Sequence, residues 1–443
     1  MEIMATAYKW TNPSVLAFAQ GQDPVEMMER AAREVALAAM DEGWTGPPFD
    51  PLNLAERRGL KIDARGDIPD ARLIPTAYGS VLQYNPTRPR GRLRFSIAHE
   101  IAHTLFPDHD EQVRNRLTHD TYARGDNWQL EVLCNIGAAE LLMPAGSFSD
   151  WAKETPSIQK VMDLRKQFNV SVEACIIRLV KLSAQPMAAF CASVHDDGSR
   201  RVDYVISSSG WRCPVKVGQR VPASSVLEEA TEIGFTAIRQ EEWVNQHPLQ
   251  VECVALAPYP GSAEPRVVGL LIEPETAGYS PRAVDEVDGD ALQPRGGGRK
   301  LLVHVVPNTS HAWGGAGFAS SLRRRFPDTW STFRDHYARE HSTPRLGEVV
   351  FADVSDDLSV AHMVAQAGIG QSSVQRLRYA ALSECLKKVQ EHACDLNATV
   401  HMPRIGTGHG GANWQLIREL ISDELVDKGI KTTVYRLPPR LGA

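Results

Sequence analysis

No uncharged apolar run in this sequence approaches the roughly 18 residues of a membrane-spanning helix, so no membrane span is expected. The opening MEIMATAYKWTNP lacks the basic stretch followed by an apolar one that marks a secretory leader. Cysteine is sparse and unpatterned. The seven residues Cys134, Cys175, Cys191, Cys213, Cys253, Cys385 and Cys394 are odd in number and contain no C-x-x-C pair. That argues against a disulfide framework and against a thiolate zinc cluster. Together these absences predict a reduced protein of the cytoplasm. A dominant charge is missing too: Lys plus Arg number 48 against 54 Asp plus Glu, a net −6. The whole chain therefore has no field that favours nucleic acid or an anionic membrane. Internal repeats are also absent.

What the chain has is ordinary globular material in quantity. At 443 residues, 43% hydrophobic and 23% charged, it is long enough for several cores. The charge is uneven, with 28 basic and 36 acidic residues over 1–280 and 20 and 18 over 281–443. Pro, Gly and charged residues cluster in EPETAGYSPRAVDEVDGDALQPRGGGRK (273–300), which places a domain boundary near 280. We expect three regions: 1–186, 187–280 and 281–443. Residues 23–42 carry helical apolar spacing behind Asp23 and Pro24. A short helix near 51–58 and strands in LKIDA and RLIPTAYGSVLQYN follow. SIAHEIAHTLF (96–106) and QLEVLCNIGAAELLM (129–143) read as helices, and 157–183 as helix, turn, helix broken at Asn169 and Ser171. Two packed core helices are the simpler reading of that segment, and a DNA-binding helix-turn-helix is the other. Residues 187–273 are strand-rich, and beyond 280 strands alternate with helices in an α/β pattern.

His99-Glu100-Ile101-Ala102-His103 carries chemistry. Residues four apart share a helix face, so both imidazoles can grip one ion while Glu100, one step round, reaches a water on it. A catalytic zinc needs a third protein ligand and an open position. Glu131, 28 residues after His103 on a second apolar helix, is the candidate. The alternative is a helix with incidental histidines and a surface Glu131. His109 and His119 are possible helpers, although solvent-exposed histidines explain both. Arg88, Arg90, Arg92 and Arg94 alternate, which on a strand puts them on one side as a nucleic-acid stripe or a solvated edge.

The run RLRFSIAHEIAH (92–103), followed by E-x-x-C-N-x-x-A-A-E-L-L-M-P from Glu131 to Pro144, resembles the ImmA/IrrE-type zinc metallopeptidases over about residues 20–185. The resemblance implies an α+β zincin-like fold, His99, His103 and Glu131 as ligands of Zn2+, and Glu100 as general base. It also implies a protein substrate, since some members cleave helix-turn-helix repressors.

The second constellation is rich in glycine. HVVPNTSHAWGGAG (304–317) and VHMPRIGTGHGG (400–411) each run from strand through loop to helix. A glycine loop opening a helix offers free N–H groups and a positive dipole end, the physics of phosphate binding. Two such loops suggest a diphosphate. With Gly289-Asp290 ahead of the first strand, about 283–438 resembles the macro domain, in the subgroup of the terminal ADP-ribose glycohydrolases and a related chromatin-remodeller reader. That resemblance implies an α/β fold that binds ADP-ribose or a related nucleotide. Asp290 would read the adenine, and Asn308, Gly315, Gly317, Phe318, Ile405, Gly406, Gly408, Gly410 and Gly411 would surround the diphosphate and distal ribose. Hydrolytic members use a lysine after the first loop and an aspartate after the second Gly-x-Gly. Here Arg323-Arg324-Arg325 and His409 stand in those neighbourhoods, and arginine does not deprotonate, which favours binding over hydrolysis.

The expected protein is a zinc endopeptidase controlled by an ADP-ribose-type signal, of a design suited to stress or anti-phage responses. One rival is an ADP-ribosyl hydrolase with a regulatory metallopeptidase part. Another is an ADP-ribose-dependent scaffold with a structural zinc.

Overall fold

A computed structural model describes residues 10–109, 114–115, 126–148, 157–183, 185–195, 197–208, 210–244, 247–258, 263–274, 284–309, 313, 317–370, 372, 374–408 and 411–437. The chain divides into two compact units, 1–281 and 282–443.

In the first unit, capping decides where the helices start. Asn12 and Asp23 each accept two backbone N–H groups at the heads of α1 (Pro13–Ala19) and α2 (Pro24–Asp41). A proline occupies the first turn of both, where its missing donor costs nothing. Asp50 and Pro51 open α3 (Pro51–Arg57) in the same way. Strands β1 (Lys61–Ala64), β2 (Ala71–Thr76), β3 (Gly79–Tyr84) and β4 (Arg114–Asn115) form a mixed sheet in the order β1-β3-β2-β4. Leu73 and Leu82 of that sheet share an apolar cluster with Ile97 and Ile101 of α4 (Arg90–His103) and Ala138 and Leu141 of α5 (Asn127–Leu142).

The arginine stripe is not realised, because α4 begins at Arg90 and alternate positions on a helix diverge by about 200°. Arg92 forks onto Asp70 at 2.6 Å, and Arg88 meets the same carboxylate at 3.5 Å. Arg94 is buried and donates to the Phe49 carbonyl at 2.6 Å.

Helices α6 (Ile158–Phe168) and α7 (Val172–Leu182) are parted by Asn169 in the left-handed region (φ 55°) and by Ser171, whose hydroxyl accepts the Ala174 N–H. Five antiparallel strands follow: β5 (Met187–Val194), β6 (Arg200–Ser207), β7 (Thr236–Val244), β8 (His247–Leu256) and β9 (Arg266–Ile272), ordered β6-β5-β9-β8-β7. Alternation along β5 sends Phe190 into a cluster with Trp243 on one face. Ala189 and Cys191 face the other way, into the core that holds Leu164 and Leu179. One core thus runs across residue 186. Strand β7 escapes sequence reading because its TAIRQEEWV is almost entirely exposed or half-buried.

The second unit has a six-stranded sheet ordered β10-β15-β14-β11-β13-β12, with β10 (Asp285–Asp288), β11 (Lys300–Pro307), β12 (Val349–Ser355), β13 (Leu358–Gln366), β14 (Thr399–Pro403) and β15 (Thr432–Arg436). All neighbours are parallel except β12 with β13. Helices α8 (Gly317–Arg325), α9 (Pro327–Arg339), α10 (Tyr379–Asp395) and α11 (Trp414–Ile421) complete it. Helix α10 starts at Tyr379, just after Leu377, which forms an isolated bridge with Gln366. No helix among the described residues is long and apolar enough to cross a membrane.

Candidate functional sites

Close helix packing builds the first site. A Cβ at Gly137 would lie 2.8 Å from Met28 Sδ and 2.9 Å from Ala102 Cβ, so the missing side chain lets α2, α4 and α5 meet beside His103. The approach sets Glu131 of α5 against the histidines of α4. Glu131 Oε2 is 3.1 Å from His99 Nε2, and Oε1 is 3.7 Å from His103 Nε2. Across the rings, His99 Nδ1 is 2.9 Å from Asn135 Oδ1 and His103 Nδ1 is 3.3 Å from Cys134 Sγ. His99, Glu100, His103 and Glu131 are all buried, at 1%, 0%, 0% and 4% exposure. Glu131 is therefore no surface carboxylate.

These residues fit a divalent metal. A buried carboxylate turned onto two imidazole nitrogens is costly without a cation, and two nitrogens with one oxygen are the protein donors of a catalytic zinc site. His99, His103 and Cys134 also bring donor atoms within 4.8 Å of one another. Glu131 is the better third donor, because it faces the Nε2 edge of both rings whereas Cys134 meets the Nδ1 edge of one. Sequence reading placed Cys134 and Asn135 in the motif that begins at Glu131 but gave them no role. Their signal was position, three and four residues after Glu131 on the same helix face. His109 Nδ1 lies 3.0 Å from the Phe106 carbonyl oxygen, and His119 falls outside the described residues.

The glycine loops of the second unit leave the carboxyl ends of β11 and β14, which are adjacent and parallel, the edge where open α/β sheets bind ligands. Gly317 starts α8 at φ 65°, with open space around its Cβ position, and Phe318 is half-buried. Gly406 (φ 74°) admits no side chain, since a Cβ would lie 2.8 Å from both Ile417 and Leu377. Gly408 faces open space, Gly411 has φ 65°, and the Ile405 side chain is buried. Asp290 follows β10 at the same sheet edge, and its Oδ1 accepts the Leu292 N–H at 2.9 Å. Gly315, His409 and Gly410 lie outside the described residues. Where hydrolytic relatives of the resemblance have lysine, Arg323 stacks 4.0 Å over the Trp330 ring.

A third loop, 367–378, was missed. Gly368 donates to Asn308 Oδ1 at 2.9 Å, so the Asn308 carboxamide holds this loop. Leu377 packs at Gly406, and the Tyr379 hydroxyl accepts the Asn413 N–H at 2.8 Å. Gly368 and Leu377 thereby brace the two glycine loops, and Tyr379 of α10 holds the head of α11.

Residues 58–180 match the Peptidase_M78 family model, described as the IrrE N-terminal-like domain. The chain is 35% identical over 116 residues to the radiation response metalloprotease IrrE of Deinococcus deserti, covering 25% of this chain and 40% of that protein. It is 34% identical to a macrodomain protein from Streptomyces coelicolor, covering 35% of this chain and 99% of that one, with a TM-score of 0.31. The chain is an IrrE-type protease domain fused to a macro domain. The chain is also 31% identical over 161 residues to the chromodomain-helicase-DNA-binding protein 1-like of Danio rerio, covering 34% of this chain and 15% of that protein. The chain thus spans well under half of either curated relative named here.

Proposed function

We propose that the IrrE-type domain is a zincin-like endopeptidase and that the macro domain, on binding ADP-ribose or an ADP-ribose-derived signal, controls it. The observation that carries this reading is the Glu131 carboxylate set between the Nε2 atoms of His99 and His103, with Glu100 buried on the same helix. His99, His103 and Glu131 hold Zn2+. Bound zinc supplies Lewis acidity toward a peptide carbonyl and toward water. Glu100 takes the proton of the attacking water and returns it to the leaving amine. The substrate is a specific cytoplasmic protein such as a helix-turn-helix repressor, and the setting is a stress or anti-phage response.

In the macro domain, the backbone N–H groups at the heads of α8 and α11 cradle the diphosphate, and Asp290 reads the adenine. Control requires that the nucleotide bind the cleaving and resting states with different affinity. Residues 187–272 form a β-rich middle region of the protease half.

The test incubates the full chain with candidate repressors, with and without ADP-ribose. Cleavage that responds to ADP-ribose, and that falls by about 10²-fold or more in Glu100→Gln, is the expected result. Full cleavage by Glu100→Gln contradicts the mechanism, and indifference to ADP-ribose contradicts the control. Calorimetry should show ADP-ribose binding that Asp290→Ala weakens.

A further inference from the structure

Helix α5 brings more than Glu131 to the histidine pair. One turn on, Asn135 Oδ1 stands 2.9 Å from His99 Nδ1, and Cys134 Sγ stands 3.3 Å from His103 Nδ1. Each ring therefore faces the same helix at both edges, with Glu131 3.1 Å from Nε2 of His99 and 3.7 Å from Nε2 of His103, and with Asn135 or Cys134 at Nδ1. An imidazole can bind a metal through Nε2 only if Nε2 carries no proton, so the ring proton must sit on Nδ1 and needs an acceptor there. Asn135 supplies an amide oxygen. Cys134 supplies a sulfur, which is a weak acceptor.

We infer that Cys134 is a positioning residue for the metal site, fixing the His103 ring and its Nδ1–H tautomer as Asn135 fixes those of His99. The inference rests on the metallopeptidase reading above. It goes beyond that reading in giving a role to a thiol that meets His103 at Nδ1, the edge opposite the Nε2 that faces Glu131. The competing account is that Cys134 is only a small apolar filler, since it is fully buried in a cluster with Phe106, Leu130 and Leu133.

Two substitutions separate these accounts because they reverse in order. A filler is best replaced by alanine, and a serine hydroxyl in an apolar cluster is the worse choice. A positioning residue is best replaced by serine, which keeps an acceptor near Nδ1, and alanine removes it.

The experiment measures Zn2+ affinity by chelator competition, and the visible spectrum of the Co2+-loaded full chain, for the native protein, Cys134→Ala, Cys134→Ser and Asn135→Ala, with thermal melting of each metal-free protein to report packing separately. Expected are a loss of about 10- to 100-fold in affinity for Cys134→Ala and Asn135→Ala, the usual effect of removing such a partner, with Cys134→Ser closer to native than Cys134→Ala. The Co2+ spectrum of the native protein should lack a sulfur-to-metal charge-transfer band. Native affinity in Cys134→Ala, with loss in Asn135→Ala, overturns the inference and leaves the metallopeptidase reading standing. A charge-transfer band that Cys134→Ala abolishes also overturns it, by making Cys134 a ligand. Absence of metal binding by the native chain overturns both.

Discussion

The two units hold their buried titratable groups in contrasting ways. In the IrrE-type half a buried carboxylate is paired with cations. Glu140 of α5, 6% exposed, accepts from Arg178 at 3.0 Å and from Arg33 at 3.4 Å. Burial pushes its carboxyl up, but Arg178, Arg33 and Lys181 outweigh that and hold it below the usual range. In the macro domain a group of buried imidazoles is held neutral. His304 Nε2 lies 2.6 Å from His362 Nδ1, and the Trp313 ring sits 4.9 Å from each imidazole. Burial, with His362 adding to it, pushes His304 well down; burial also takes His362 to about 3. Burial, with Lys300 and Lys431, takes His401 to about 4.

The largest effect that follows concerns removal of one charge. Arg178→Ala leaves the buried Glu140 with Arg33 at 3.4 Å and should cost about 3 kcal/mol of stability, the low end for breaking a buried pair. His362→Phe exchanges one neutral ring for another but takes away the 2.6 Å partner of the buried His304 Nε2, and should cost about 1–3 kcal/mol. Denaturant melts of both variants measure the two costs, and a larger loss in His362→Phe than in Arg178→Ala would contradict the ordering.

Acid should then separate the halves by pH window. Unfolded histidines protonate near 6.5, whereas His362 and His401 resist until about 3 and 4. The unfolded chain therefore binds more protons below about 6.5, and the stability of the macro domain falls as pH drops from there toward 3–4. The lowered Glu140 works on a more acidic range: its contribution is present above about 4.5 and is lost only as pH falls through its folded value. Hydrogen exchange on the metal-free chain between pH 7.5 and 5 should show protection falling in 284–437 and holding around Glu140. Equal losses would contradict this assignment.

Legibility from sequence followed locality. Caps such as Asp23 with Pro24, and the His99–His103 spacing, are encoded within a few residues, and the structure places them as read. Strand β13 was invisible because LSVAHMVAQ is buried nearly throughout, so no alternation marks it. Helix α9 was passed over between the arginine run and β12. The contacts of Cys134 with His103 and of Asn308 with Gly368 join residues 31 and 60 apart, and only folding reveals them.

The central claim is a metal held by two histidines of α4 and one carboxylate of α5, independent of the macro domain. Zinc content of the purified full chain tests it most directly, comparing the native protein with Glu131→Ala. Stoichiometric zinc in the native chain, lost in Glu131→Ala while ADP-ribose binding is unchanged, is the predicted result. Retention of full zinc by Glu131→Ala would contradict it.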